Sequence, residues 1–216
     1  MSRLLLVRHG QSLYTGEQAD HLTPLGREQA RLLGERWAAR GLRLDRVICG
    51  PRMRHHETLE EVRRSLELPE ARIEPDLDEY PAGEIFKRAV QGGLARVEDP
   101  STFERMFTRV MGRYVAGEID YEGVETFSAF RARVGGALER ITAEGARGQI
   151  VAAFTSGGPV AAALGLVLGL TDEKVLELSW TVRNTALCEL RFGPGRLSLV
   201  AFNLHSHLGD DQTTVR

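Results

Sequence analysis

Arg8, His9 and Gly10 stand together near the start of the chain, directly after the apolar run Leu4-Leu5-Leu6-Val7. A guanidinium holds an oxyanion through forked, charge-assisted hydrogen bonds. An imidazole beside it can attack the group so held, or move a proton on it. Two more stretches could join them: Arg54, just after Gly50-Pro51, and Ser156-Gly157-Gly158. Backbone N–H groups at a helix start would strengthen the grip on an anion. Taken alone, Arg8-His9-Gly10 reads equally well as a basic loop after a buried strand, so the surrounding elements have to decide.

Residues 3–7 form a continuous apolar run, the pattern of a strand buried on both faces of a parallel sheet. Thr23-Pro24 supplies an N-cap and a proline at the first helical position, with Leu25, Gln29, Leu32, Leu33 and Trp37 at helical spacing and Gly41 as terminator. Residues 47–49 predict a second strand. Residues 52–66 predict a charged helix with Met53, Leu59, Val62 and Leu66 facing inward, and residues 71–74 a third strand. This alternation predicts an α/β fold, a mostly parallel central sheet flanked by helices. Ligands in such sheets sit beyond the carboxyl ends of the strands, where Arg8-His9 and Arg54 both fall.

Between Tyr80 and Gly123 the spacing of Phe86, Val90, Leu94, Phe103, Phe107, Val110, Met111 and Tyr114 predicts two or more helices with no strand. These helices form either a cap over the site or an ordinary packed pair. Residues 127–141 predict an amphipathic helix, 149–154 a core strand, and a further helix begins near Pro159. Residues 186–192 and 197–202, around Gly193-Pro194-Gly195, predict an antiparallel hairpin at a sheet edge. The tail from Gly209 is expected to fray. Neither repeat nor linker divides the chain, so residues 1–216 are expected to form a single domain with a helical insertion at about 80–123.

Composition narrows the function classes. With 216 residues, 42% hydrophobic, 27% charged and a net charge of −2, the chain can bury a substantial core and has no field to draw nucleic acid or an anionic membrane. Any anion site must therefore be local. Cys49 and Cys188 form neither a CxxC pair nor a disulfide framework, no secretory segment is visible, and a cytoplasmic location is expected. The apolar stretch 160–170 contains Gly165 and Gly169 and is too short to span a bilayer. His55 and His56, adjacent on a predicted helix, point in different directions and are expected to face solvent. His205 and His207 lack acidic or cysteine partners for a metal. Neither metal nor cofactor is expected.

The order of the motifs carries more than any one of them. Arg8-His9-Gly10-Gln11-Ser12 fits R-H-G-[EQ]-[ST], and Leu22-Thr23-Pro24-Leu25-Gly26-Arg27-Glu28-Gln29-Ala30 fits L-T-x-x-G-x-x-Q-A. Gly50-Pro51-Arg52-Met53-Arg54-His55-His56-Glu57-Thr58 aligns with S-P-x-x-R-x-x-[QE]-T, and Leu77-Asp78-Glu79 with L-x-E. Asn203 and His207-Leu208 close the series as N-x-x-x-H-L. In this sequence the chain resembles the histidine phosphatase superfamily, the phosphoglycerate mutase-like proteins, over nearly its whole length. The resemblance implies a three-layer sandwich and a phosphohistidine mechanism. His9 would be the nucleophile, Arg8 and Arg54 would hold the phosphoryl oxygens, and Glu79 would be the proton donor and later the base. Gly10, Gln11, Ser12, Thr15 and Gly157 would line the phosphate or substrate. Asp76, Asp78 and Glu84 crowd the same loop as Glu79, and any of these carboxylates can also be read as a solvated charge.

One position departs from the family pattern. Where the resemblance places a second histidine, in [ST]-H-G-G, this chain has Thr155-Ser156-Gly157-Gly158. Ser156 joins the candidate catalytic set as an uncharged hydroxyl donor. Losing one such transition-state donor costs on the order of 3 kcal/mol, roughly a hundredfold in rate. His21, His55, His56, His205 and His207 are the imidazoles available to replace it in space. The reading that follows is a phosphomonoesterase, slowed at this position, acting on a small phosphorylated metabolite or a phosphoprotein. Its main alternative is a phosphate-pocket protein that binds phosphorylated ligands or partners with little turnover, and a lesser one is a phosphoglycerate-type mutase. A Ser156–Asp172–His205 hydrolase is disfavoured, because Phe154 occupies the first glycine position of G-x-S-x-G. The edge hairpin suits a monomer or a dimer equally well.

Overall fold

A computed structural model describes residues 1–13, 20–95, 100–145 and 147–215. Its elements run β1 (Ser2–Arg8), α1 (Pro24–Ala39), β2 (Arg46–Cys49), α2 (Met53–Arg63), β3 (Ala71–Ile73), α3 (Ala82–Gln91), α4 (Pro100–Val115), α5 (Phe127–Ala143), β4 (Ile150–Thr155), α6 (Gly157–Leu168), α7 (Asp172–Ser179), β5 (Leu187–Gly193) and β6 (Arg196–Leu204). The strands form one sheet in the order β3-β2-β4-β1-β5-β6. β3, β2, β4 and β1 pair in parallel, and β5 and β6 add an antiparallel edge.

The continuous apolar runs are explained by burial on both faces. Successive side chains of a strand point to opposite sides. Leu4 and Leu6 of β1 pack with Leu138 and Ile141 of α5 and Val160 and Leu164 of α6. Leu5 and Val7 pack with Leu33 and Trp37 of α1 and Leu59 and Val62 of α2. β4 splits in the same way, Val151 and Ala153 to one side, Ala152 and Phe154 to the other. The result is the helix–sheet–helix sandwich of the phosphoglycerate mutase-like α/β fold.

Register then gathers the chemistry. Arg8 pairs with Thr155 and Cys49 with Phe154, so the strands β2, β4 and β1 end side by side. The next N–H groups continue the ladder, His9 N to Thr155 O and Gly50 N to Phe154 O, each at 2.9 Å. His9, Gly50 and Ser156 therefore leave the sheet at one edge, and α2 and α6 start there.

Several elements differ from expectation. α6 begins at Gly157, two residues before Pro159, because a proline in the first turn removes only an N–H that has no intrahelical acceptor. α7, capped by Thr171 Oγ1 accepting from Lys174 N at 3.4 Å, went unpredicted; two turns with Val175 and Leu176 as the buried apolar pair leave little periodicity. Met53 is 47% exposed rather than inward. The tail does not fray: Asp210–Gln212 forms a short turn, Thr214 O accepts from Asn184 N at 2.9 Å, and Gln212 O accepts from Gln29 Nε2 at 2.7 Å. α3 and α4 occupy the stretch 80–123 and pack Ile85, Ala89, Val110 and Met111 against Phe127 and Phe130 of α5. Among the described residues no helix is long and apolar enough to cross a membrane.

Candidate active site

At the carboxyl ends of the strands lies a cavity of about 400 Å³. Its walls carry Arg8, His9, Ser12, Asp20, Arg52, Arg54, Glu79, Glu84 and Asn184, with the turn from Tyr80 into α3 on one side. The basic pair, the second arginine and the carboxylate come from three separate segments.

His9 is held in one tautomer. Its Nδ1 lies 2.7 Å from Gly10 O, which only accepts, so the ring hydrogen sits on Nδ1 and the Nε2 lone pair is left for chemistry. The backbone carbonyl of His9 accepts from Asn184 Nδ2 at 3.2 Å and from Thr185 N at 3.3 Å. Burial, then the nearby Arg54 and Arg8, hold the imidazole well below its usual pKa. At neutral pH it is therefore an uncharged imidazole of restricted orientation.

The arginines are anchored from behind. Arg8 Nη1 donates to the carbonyls of Val182 and Val215, the latter at 2.8 Å. Arg54, in the first turn of α2, pairs with Asp20 at 3.0 Å and donates from Nη2 to Ser156 Oγ at 3.3 Å. Its buried Nε–H has no acceptor among the described residues. An anion in the cavity would thus meet two guanidiniums whose positions are already set.

Glu79 differs from the acids around it. Asp78 pairs with Arg52, Asp76 with Arg140 and Glu84 with Arg88, all toward solvent. Glu79 lies in the cavity wall, where Oε2 accepts from Gly158 N and Oε1 from Tyr80 N, both at 3.0 Å. Burial raises its pKa above the usual carboxylate value, against the opposing pull of those N–H groups and Arg54. A side chain at Gly158 would overlap the carboxylate, so only glycine allows this contact. Arg133 of α5 holds the acid's loop by donating to the carbonyls of Asp76 and Asp78 at 2.8 Å.

Other motif residues turn out to be scaffolding. Gly10 and Gln11, expected to touch phosphate, direct their N–H groups to Thr58 Oγ1 at 3.0 Å and Gln29 Oε1 at 2.8 Å, and neither lines the cavity. Gly157 packs under Arg8 and against Ser179 O instead of opening onto the cavity. Thr15 lies outside the described residues. Glu57 takes Leu22 N and His21 Nδ1, each at 2.8 Å, and ties the loop to α2. Asn203, at φ 57, accepts from Arg183 N at 2.8 Å, and His207 bonds Thr185 Oγ1 at 2.8 Å, so both brace the segment behind His9.

Ser156 and His55 need correcting together. Ser156 is fully buried, is not part of the cavity wall, and lies 2.7 Å from His55 Nε2. His55, expected in solvent, has no exposed surface. The signal was present: His55, Thr58, Leu59 and Val62 make one helical stripe, and that stripe is the buried face of α2. Asp172 pairs with Arg131 and His205 Nδ1 lies against Asn203 O, so no Ser-Asp-His triad forms. Asp20, Arg52 and Asn184 were missed as wall residues because polar side chains in loops carry no periodic signal. Among the described residues, no group of three or more His, Cys, Asp or Glu side chains could hold a metal ion.

A neutral imidazole with two anchored arginines and a carboxyl group in one cavity wall is an arrangement able to hold and transfer a phosphoryl group. Residues 4–205 match the histidine phosphatase superfamily (branch 1), and the chain belongs to that family. More particularly, a 72-residue stretch is 35% identical to the mitochondrial serine/threonine-protein phosphatase Pgam5 of Drosophila willistoni, covering 32% of this chain and 25% of that protein. This chain thus spans about a quarter of the length of that curated relative. Bacillus stearothermophilus YhfR superposes with a TM-score of 0.72 at 19% identity, over 96% of this chain and 99% of that one. A mutant phosphoserine phosphatase from Entamoeba histolytica, in complex with phosphoserine, superposes at 0.69 and 17% identity, over 96% of this chain and all (100%) of that one. At such identities the likeness is one of fold.

Proposed function

We propose that this protein hydrolyses phosphomonoesters through a phosphohistidine formed on His9. The observation that carries the reading is the His9 Nδ1 contact to Gly10 O at 2.7 Å, which leaves Nε2 unprotonated in a cavity walled by two arginines. Nε2 attacks the phosphorus in line, and the P–O bond to the leaving alcohol breaks. Arg8 and Arg54 take the charge that develops on the equatorial oxygens. Glu79, its pKa raised, gives its proton to the leaving oxygen. In the second step the Glu79 carboxylate takes a proton from water as it attacks the phosphohistidine, and inorganic phosphate leaves. Ser156 supports this machinery from behind Arg54.

A small phosphorylated metabolite or a phosphorylated side chain fits the cavity. Of the further basic groups in its wall, Arg52 is paired with Asp78, and Asp20 and Glu84 bring negative charge to that wall. This charge disfavours the second phosphate a mutase needs, and hydrolysis is the better reading. A reducing cytoplasm suits the two buried, unpaired cysteines. The test is a panel of phosphomonoesters assayed for phosphate release, with acid-labile, base-stable labelling of the protein measured in parallel. Turnover and labelling that both vanish in His9→Ala are expected. A panel with no release above the His9→Ala control would replace this reading with that of a phosphate-binding protein.

A further inference from the structure

His55 is a buried imidazole to which hydrolysis by His9, Arg8, Arg54 and Glu79 assigns no task. It follows Arg54 directly in α2, has no exposed surface, and its ring centroid lies 5.8 Å from that of His9. The site is shaped for it: a Cβ at Gly50 would stand 2.5 Å from its Nδ1. Its Nδ1 side is held by the backbone of Gly50 and by Arg52 N at 3.4 Å, and its Nε2 lies 2.7 Å from Ser156 Oγ. The same oxygen accepts from Arg54 Nη2 at 3.3 Å. Ser156 Oγ is thus held from two sides, by the His55 imidazole and by the Arg54 guanidinium.

We propose that His55 is a positioning residue which, through Ser156, fixes the guanidinium of Arg54 for its grip on the phosphoryl group. A long arginine side chain loses much rotamer freedom when its head is fixed. The Arg54 pairing with Asp20 does not achieve this alone, because that carboxylate is 37% exposed and an exposed pair contributes little. The anchor on the other side is buried, and His55 keeps it in place. The two side chains are also coupled in size. With Oγ already at hydrogen-bond distance from the imidazole, a ring at position 156 collides with the ring at 55. The kinetic consequences rest on the phosphatase reading; the packing and anion-binding consequences do not.

A double-mutant cycle tests this on the full chain, using p-nitrophenyl phosphate turnover, orthovanadate affinity by calorimetry, and thermal unfolding. His55→Ala is expected to lower kcat about tenfold with a smaller change in KM, and to weaken vanadate binding in step, since equatorial contacts tighten in the transition state. His55→Asn, which keeps a polar group that can both donate and accept, recovers part of both. Ser156→His alone loses at least as much, and His55→Ala/Ser156→His regains activity over either single variant, giving an interaction energy far from zero. Unchanged kcat and vanadate affinity in a folded His55→Ala or His55→Leu protein would overturn the proposal. So would a rise in both when Ser156→His is made with His55 in place. If the unmodified protein shows no turnover while vanadate affinity follows the cycle, the hydrolytic reading fails and the positioning role stands.

Discussion

At the scale of single residues, the site separates two titrations that would otherwise conflict. In the proposed mechanism His9 must be neutral to attack, and burial beside Arg54 and Arg8 lowers its pKa, so the loss of rate on acidification is expected well below pH 6.5. Glu79 must be protonated for the first step, and burial raises its pKa, so the loss on the alkaline side begins above the usual carboxylate value. A bell-shaped pH dependence of kcat/KM is expected, with Glu79→Gln removing the alkaline limb. For alkyl phosphates that variant lowers kcat by about 10²- to 10⁴-fold. With p-nitrophenyl phosphate, whose leaving group needs little protonation, the first-step loss shrinks. Equal losses for both substrates would exclude Glu79 as the proton donor. Gly158→Ala probes the same group from the backbone, because its methyl overlaps the Glu79 carboxylate; kcat is expected to fall while unfolding shows an intact fold.

Among elements, the loop after β1 is fixed by the face of α1 on which it lies. Gly10 and Gly26 approach so closely that a Cβ on either would overlap the other segment's backbone. Gly26→Ala is expected to cost about 1–3 kcal/mol in chemical denaturation, and to lower kcat, since the shift propagates to His9. Gln29, fully buried on α1, accepts from Gln11 N at 2.8 Å and donates to Gln212 O and to Thr214 Oγ1, at 2.7 and 2.9 Å. It joins the first loop to the tail behind the site. Gln29→Met leaves these groups unpaired and is expected to destabilise by about 1–3 kcal/mol. An unchanged denaturation midpoint would show that the tail and loop hold without it.

For the whole molecule, buried neutral histidines link stability to pH. His9, His55 and His207 all have pKa values lowered by burial, His207 to about 4, whereas in the unfolded chain each returns to about 6.5. Between those limits the unfolded chain binds more protons, so stability falls as pH drops from about 6.5 toward 4. Glu79, with a raised pKa, opposes part of the trend. Melting temperature is expected to decline across that window and to decline less steeply in His207→Gln, which keeps a polar group near Thr185. A flat profile would contradict the buried neutral state of these rings.

How much of this was legible follows from which interactions are local. Apolar runs in β1 and β4, the Thr23-Pro24 cap and the ordered motifs depend on neighbours in sequence, and they predicted the sheet, the family and the cavity walls Arg8, His9, Ser12, Arg54 and Glu79. Tertiary structure decided the rest. Gly10, Gln11, Asn203 and His207 have motif spacing, but their partners Thr58, Gln29, Arg183 and Thr185 are remote or indistinct in sequence, so scaffolding and phosphate contact looked alike. Ser156 was read as a substrate donor, and His55 as a solvent group or as one of five histidines able to replace the missing imidazole. Ser156 and His55 are about a hundred residues apart, |i−j| = 101, and only the parallel register of β2 and β4 brings them to 2.7 Å. Sequence alone determined that a histidine and two arginines meet at strand ends; the packing of α2 against β4 decided which side chains hold them there.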